Sequence, residues 1–363
     1  MRELAKAQTS SGLYAGVGFA LITFRDWPNE YQAELATSGL QSYRALTPRV
    51  FGTASSLLQR IVKPPLLEWG LDFCRKVNSE YLVLHFHNAW ISGIFQPIRS
   101  HKNITIRSVA TYHGINADFK GQPIRHLIHR WMARQHLRFG VQLTSVDSEN
   151  PKVAECLFGI PSSNFIVIPN GAPEVNPIVT FQLKQANCLT VGHVGGINRA
   201  KGWVIAAEGV RTARSTGRDI RLIVAGAGPD EKEASQWHRK HPEWFDFIGF
   251  VHDPQKSVFP RLDGFVLMAE REGLPMAIIE AMSVGLPVIA TSVGGIPDAV
   301  LPHQTGLLIP RTALSLAEAL CDIYDHPERR VFMSRQALSV FRERFEIKRI
   351  VSKYHSVYCG EHS

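Results

Sequence analysis

Residues 263–295 read DGFVLMAEREGLPMAIIEAMSVGLPVIATSVGG. The apolar run at 265–269 suits a buried strand, and it ends at charged residues followed by Gly273. Pro275 stands where a helix would begin, because its fixed φ and missing N–H suit a first helical position. A second apolar run, 286–291, ends in another glycine turn. Strand, helix and strand within about thirty residues form a parallel βαβ unit, since parallel neighbours need a crossover.

The same habit recurs on both sides. LTVGHVGG (189–196) and IRLIVAGAG (220–228) are short apolar runs closed by glycine turns. YLVLHFH (81–87), TIRSVATYHG (105–114), VQLTSVDS (141–148) and FIVIPNG (165–171) repeat the pattern less cleanly in the first half. The simplest reading is two α/β units in series, which suits 363 residues. Three prolines and a glycine between Pro169 and Pro177 place a boundary near 171–186. The expected domains are 1–175 and 176–340. Residues 341–363 are expected to carry a last helix that crosses back to the first domain, with apolar positions Ile347, Ile350, Val351, Tyr354, Val357 and Tyr358.

Composition narrows the class. Hydrophobic residues make up 45% and charged residues 20%, as in an ordinary globular chain. The uncharged apolar stretch 12–24 holds three glycines and is too short to span a bilayer, so it reads as a strand. Residues 1–8 carry both signs of charge with no apolar core behind them, unlike a secretory signal. The five cysteines are scattered, which argues for a reducing compartment and against a disulfide frame or zinc site. A cytoplasmic protein is expected.

The net charge of +8 is uneven: residues 1–175 hold 18 Lys and Arg against 12 Asp and Glu. In IRHLIHRWMARQHLRFG (124–140), Arg130, Arg134 and Arg138 fall at i, i+4 and i+8, one stripe of a helix. Such a face suits an anionic membrane or a lipid-phosphate acceptor; no nucleic-acid module signature accompanies it. A peripheral site on the inner face of the plasma membrane is therefore expected.

Three segments carry candidate chemistry. A helix beginning at Pro275 presents free N–H groups and a positive dipole end, an anion site, with Glu272 at its mouth and Glu280 about one and a half turns inside. Carboxylates there can accept hydrogen bonds from sugar and ribose hydroxyls. Gly195 and Gly196 open a turn in which backbone can approach a phosphate, with Arg199 and Lys201 to neutralise it. His113, before Gly114, ends a strand in the first half, and His87 ends another.

EGLPMAIIEAMSVGLPVIAT resembles the E-x7-E signature of family 4 retaining glycosyltransferases, whose fold is GT-B: two Rossmann-like domains with a cleft between them. GGIPDAV, TGLLIP, VAGAGPD, FIGFVHD and IPNG also resemble that family and stand in its order. The resemblance covers roughly residues 80–360. It implies that Glu272 contacts the donor sugar, that the amides of Gly273, Leu274, Pro275 and Met276 surround its hydroxyls and distal phosphate, and that Glu280 accepts from the ribose diol. Of these four Pro275 has no N–H and contributes only its place in the turn. Phe250 and Val251 would border the base. Gly195, Gly196, Arg199 and Lys201 fall at the family's phosphate loop, G-R-x-x-x-x-K-G, but its arginine is replaced by Gly196. His113 resembles the acceptor-domain histidine that faces the donor sugar.

The resemblance implies transfer of a sugar from a UDP-, GDP- or ADP-type donor to an acceptor hydroxyl, with retained configuration and no metal or other cofactor. The acceptor would be a saccharide or lipid-linked saccharide of bacterial surface polysaccharide or lipopolysaccharide synthesis. Alternatives are a non-catalytic donor-binding or partner subunit, and a sugar-nucleotide epimerase, which the E-x7-E spacing argues against. RELAKAQTSSG reads as the family's first helix with no strand before it. That missing central strand implies a natural start upstream of Met1, the alternative being a sheet that closes over the gap with reduced or no transferase activity.

Overall fold

The computed structural model describes residues 20–23, 41–44, 81–87, 100–101, 103–115, 123–175 and 188–361. The helix expected at RELAKAQTSSG and residues 176–186 of the expected boundary lie outside these. Chain contacts gather into two units. One comprises the described parts of 1–146, 150–168 and 347–363; the other comprises 147–149 and 169–346.

In the first unit, β1 (Ala20–Thr23) and β2 (Gln41–Arg44) pair in parallel, Ala20 opposite Gln41. A larger sheet follows, from β3 (Tyr81–Phe86), β4 (Ser100–His101), β5 (Ile104–Tyr112), β6 (Gln142–Ser145) and β7 (Phe165–Val167). Its order is β3-β5-β6-β7, all parallel, with β4 antiparallel on β5. Helices α1 (Pro123–Arg138) and α2 (Glu149–Phe158) supply crossovers.

Strand side chains alternate between faces, and β5 shows what each face buries. Ala110 and Tyr112 pack with Ala133 of α1, Ala154 and Phe158 of α2, and Leu143. Val109 points the other way, into a cluster with Ile168 and with Ile347, Ile350, Val351, Tyr354 and Val357 of α10 (Ile347–Cys359). The helix at the end of the chain thus completes the core of the first unit. Each such aliphatic side chain contributes about 1.5–3 kcal/mol by leaving water.

The second unit runs β8 (Leu189–Val194), α3 (Trp203–Arg214), β9 (Ile220–Ala225), α4 (Glu231–Lys240), β10 (Phe245–Gly249), α5 (Pro254–Ser257) and β11 (Gly264–Leu267). It continues with α6 (Met276–Ser283), β12 (Val288–Thr291), α7 (Ile296–Ala299), β13 (Gly306–Ile309), α8 (Ala313–Asp325) and α9 (Pro327–Arg344). All six strands are parallel, in the order β10-β9-β8-β11-β12-β13. Counted from β8 this is 3-2-1-4-5-6, the doubly wound order of a Rossmann sheet. Leu189, Val191, Leu222, Val224 and Val266 form one buried face with Trp203, Ala206 and Val210 of α3 and Leu316 and Leu320 of α8.

The strand order decides where a ligand belongs. The chain leaves β8 in one direction and β11 in the other, so the crevice outside their carboxyl ends is the topological switch point. Residues 195–202 follow β8 and residues 268–275 follow β11.

Candidate active site

The loop after β8 is tightly stitched. Gly195 N–H donates to Ala225 O, Ile197 N–H to Ala227 O, and Asp230 N–H to Ile197 O, so 195–197 lies against the VAGAGPD segment. Asn198 caps a short turn, Arg199–Lys201, its side-chain oxygen accepting from Lys201 N–H at 3.1 Å. Gly202 follows at φ +81, and a β-carbon there would lie 2.0 Å from Met268 O. Only glycine lets this loop touch the end of β11. A β-carbon on Gly195, by contrast, would meet nothing within 4 Å.

The loop after β11 is held from several sides. Glu270 N–H donates to Ala200 O at 2.7 Å, and Thr291 Oγ1 donates to Ala269 O at 2.6 Å. Asn170 Nδ2 donates to Leu274 O at 2.7 Å. Gly294, at φ +55, abuts Glu272 O so closely that a β-carbon would lie 1.8 Å from it. Arg311 donates from Nε to Met268 O and from its terminal nitrogen to Arg199 O, at 2.9 and 2.8 Å. Its guanidinium therefore clamps the two loops together.

Across the switch point, Lys201 Nζ lies 2.5 Å from Glu272 Oε1. The Glu272 side chain is 10% exposed and that of Lys201 34%. A nearly buried carboxylate needs a partner, and Lys201 supplies both charge and hydrogen bond. Arg199 is turned elsewhere: its guanidinium reaches both Glu233 carboxylate oxygens at 2.8 Å, on α4.

Pro275 has extended backbone (φ −69, ψ 128) and caps α6, which begins at Met276 and not at Pro275 as its sequence position suggests. Pro275 O still accepts from Ile278 N–H, so the shift is one residue at a helix end. Leu274 is buried; Gly273, Met276 and Glu280 are half-buried. Gln255 Nε2 donates to Ser283 Oγ at 2.9 Å, and Ser283 Oγ donates to Glu280 O at 2.6 Å, which ties α5 to α6. Just before α5, Phe250 is 66% exposed and Val251 half-buried.

Beneath the first loop sits His193, fully buried in β8. Burial pushes its imidazole down to about 4 against some support from the Val266 backbone, and the Lys201 charge acts in the same direction as burial. It is a neutral side chain in the fold.

In the first unit, His113 Nε2 lies 3.0 Å from His87 Nδ1. One of the two nitrogens donates, so the contact holds a single proton between neutral rings. The His87 ring lies 4.0 Å from that of His85. His85 is itself fixed by Tyr358 OH and Thr111 Oγ1, both at 2.6 Å, and Thr111 Oγ1 meets Thr144 Oγ1 and Tyr354 OH. Burial, with His85 and His113 close by, holds the His87 imidazole well below its usual range.

The geometry thus joins Lys201 to Glu272 and His113 to His87, and directs Arg199 away to Glu233. Arg311 and Gln255, outside the quoted motifs, also support the loops, as do Asn170 of IPNG and Ser283 of the E-x7-E segment. No group of His, Cys, Asp and Glu among the described residues is arranged to hold a metal ion.

Residues 188–326 match the family model described as Glycosyl transferases group 1. The 2-deoxystreptamine glucosyltransferase of Streptomyces kanamyceticus is 33% identical over 151 residues, 40% of this chain and 39% of that protein. The glycogen synthase of Mycobacterium tuberculosis is 27% identical over 221 residues, 59% of this chain and 52% of that one. The chain thus aligns with about half or less of the length of these relatives. Among solved structures, Anabaena HepE in complex with UDP superposes with a TM-score of 0.75 at 18% identity, over 99% of this chain and 96% of that one. HepE has also been solved in complex with UDP-glucose. Residues 188–326 are therefore a glycosyltransferase group 1 domain, within a chain whose two Rossmann-like halves have the GT-B fold.

Proposed function

We propose that this chain is a retaining glycosyltransferase that moves a hexosyl group from a nucleoside diphosphate sugar to an acceptor hydroxyl. The observation that carries the reading is the Lys201–Glu272 pair at the switch point of the domain that matches the group 1 family. In this structure each charge satisfies the other. When a donor enters, the ammonium turns to the diphosphate and the carboxylate accepts from sugar hydroxyls, so neither is left unpaired.

The amides of Gly273, Leu274 and Met276 then face the sugar and distal phosphate, Glu280 the ribose diol, and Phe250 and Val251 the base. Lys201 and the N-terminal end of α6 stabilise charge as the diphosphate leaves, and that phosphate takes the acceptor proton. His113, fixed by His87, orients the sugar. No metal takes part. The domains divide the work: 1–175 for the acceptor, 176–340 for the donor. The acceptor is a saccharide or lipid-linked saccharide of bacterial surface polysaccharide or lipopolysaccharide, met at the inner face of the plasma membrane. HepE, which shares the fold, was solved with UDP-glucose, and this supports a uridine donor as the first to try.

A second reading, a non-catalytic donor-binding subunit, is favoured by one observation. Gly196 stands where the family has arginine, and Arg199 is engaged by Glu233. Thermal shift against UDP-, GDP- and ADP-sugars, followed by separate assays of donor hydrolysis and transfer, tests both. A bound donor with retained anomeric configuration in product supports the transferase. Binding with neither hydrolysis nor transfer supports the subunit, and no binding of any donor overturns both.

A further inference from the structure

Helix α1 spends most of its apolar surface on solvent. Ile124 is 74% exposed, Leu127 65%, Ile128 43% and Trp131 50%. At 100° per residue these four positions fall within about 100° of the helix's circumference, so they form one stripe over its first two and a half turns. Among the described residues only four other large hydrophobic side chains are exposed, and they are dispersed: Val167, Phe250, Leu314 and Phe332.

The opposite side of α1 explains how the helix is held without that stripe. Met132, Ala133 and His136 are buried, and His136 Nδ1 lies 3.1 Å from Tyr112 OH of β5. Among the described residues, the packing of α1 on the sheet therefore uses its other side and not the stripe. A single exposed Leu needs no explanation, but a contiguous patch marks a binding surface.

Charge selects the occupant. Arg130, Arg134 and Arg138 are all exposed and flank the apolar stripe toward the end of the helix. None of the sixteen residues of α1 is acidic. An apolar stripe with a one-signed basic flank matches acyl chains beneath anionic headgroups, the arrangement of an interfacial helix. A second copy of the helix, having no acidic residue, would offer these arginines no counter-charge.

We propose that α1 is a membrane-insertion element: Ile124, Leu127, Ile128 and Trp131 enter the acyl boundary of an anionic bilayer while the three arginines engage its headgroups. This deepens the membrane side of the functional reading above by naming the surface and adding an apolar contribution to the electrostatic one. The stripe begins eleven residues after His113 in the chain. The bilayer-facing helix and the proposed sugar-orienting histidine thus flank the same connection, which suits an acceptor drawn from the membrane.

The two contributions separate by salt. The full chain is sedimented with vesicles of phosphatidylcholine alone and with added phosphatidylglycerol, at low and high salt. The wild type should bind the anionic vesicles, and a fraction should stay bound at high salt. Leu127→Ser with Trp131→Ser should lower the salt-resistant binding by about tenfold or more, since two large apolar groups are lost. Arg130→Gln, Arg134→Gln and Arg138→Gln together should abolish the preference for anionic vesicles. All these positions are exposed, and thermal unfolding of each variant checks that the fold is kept. Vesicle binding by the Ser variant equal to wild type overturns the proposal. So does absence of wild-type binding, or a wild-type dimer that the Ser variant dissociates, which would show that a second copy covers the stripe. Sedimentation needs no turnover, so a chain that binds vesicles but transfers no sugar defeats the transferase reading and leaves this one standing.

Discussion

Lys201 and Glu272 are 71 positions apart in sequence, yet Nζ and Oε1 meet at 2.5 Å because β8 and β11 are neighbours in the sheet. The loop after each strand is pinned by glycine contacts and by Arg311, so the pair is placed by backbone. Lys201→Ala leaves a nearly buried carboxylate without its cation. The expected loss of stability is about 1–2 kcal/mol, discounted because Lys201 is a third exposed. Glu272→Gln with Lys201→Met should recover part of it. Urea unfolding of the double-mutant cycle measures the coupling, and a value near zero means the pair contributes nothing to the resting fold.

The same two residues should divide in function. Lys201→Ala and Glu280→Ala should weaken nucleotide-sugar binding by about 1.5–3 kcal/mol, roughly tenfold or more, as hydrogen bonds to charged groups are lost. Glu272→Ala should lower turnover more than it lowers affinity for the free nucleotide. Calorimetry with nucleotide and with nucleotide sugar separates these outcomes. Equal loss for both ligands in the Glu272 variant would move that residue away from the sugar.

Phe250 is exposed, so Phe250→Ala should change stability by less than about 0.5 kcal/mol. If its ring borders the base, nucleotide affinity should still fall by about 1 kcal/mol or more, the usual worth of base–aromatic stacking. A variant that binds as wild type places the base elsewhere.

His87 should act through His113. His87→Ala removes the hydrogen bond that His113 Nε2 makes among the described residues, and a net hydrogen bond is worth about 0.5–1.5 kcal/mol, about twofold to tenfold in rate. The expected change is in kcat, with KM for the donor unchanged. His113→Ala should reduce kcat further, and adding His87→Ala to it should cost little more. Additive losses in the double variant would mean that the two act separately.

His193 predicts an acid sensitivity with a defined window. It is neutral in the fold with its imidazole at about 4, whereas an unfolded histidine titrates near 6.5. Between these values the unfolded chain binds the extra proton, so stability is full above about 6.5 and falls as pH drops toward 4. The loss should reach about 3 kcal/mol at the lower end. His193→Leu should flatten this part of a stability–pH curve, and an unchanged slope would assign the acid loss to other groups.

The fold was legible because its strands are short apolar runs punctuated by glycine and proline, and 263–295 shows the whole unit. The turn at 272–276 was legible too, apart from a one-residue shift at Pro275. What stayed hidden depends on contacts across strand order. Arg199 looked like a charge for the phosphate loop until Glu233, 34 positions on, was seen to hold it. Arg311 acts on backbone carbonyls and lies in no quoted motif, and Asn170, although part of IPNG, gave no sign that its partner is the Leu274 carbonyl. His193 read as one more residue of an apolar strand. In α1 the mixture of apolar and basic residues was visible, but which side faced solvent was decided by Tyr112 and the sheet beneath.

Helix α10 gives the chain an order of assembly. Residues 347–359 leave the ribosome only after the entire second unit, yet Val109 and Ile168 of the first unit wait for them. Domains ordinarily fold in the sequence in which they are synthesised. Here the unit made first finishes last: the apolar patch that α10 covers stays open throughout translation of about 180 residues, which in a crowded cell invites chaperone capture. The second unit, with all six strands contiguous in sequence, carries no such debt and can fold while its neighbour is still open.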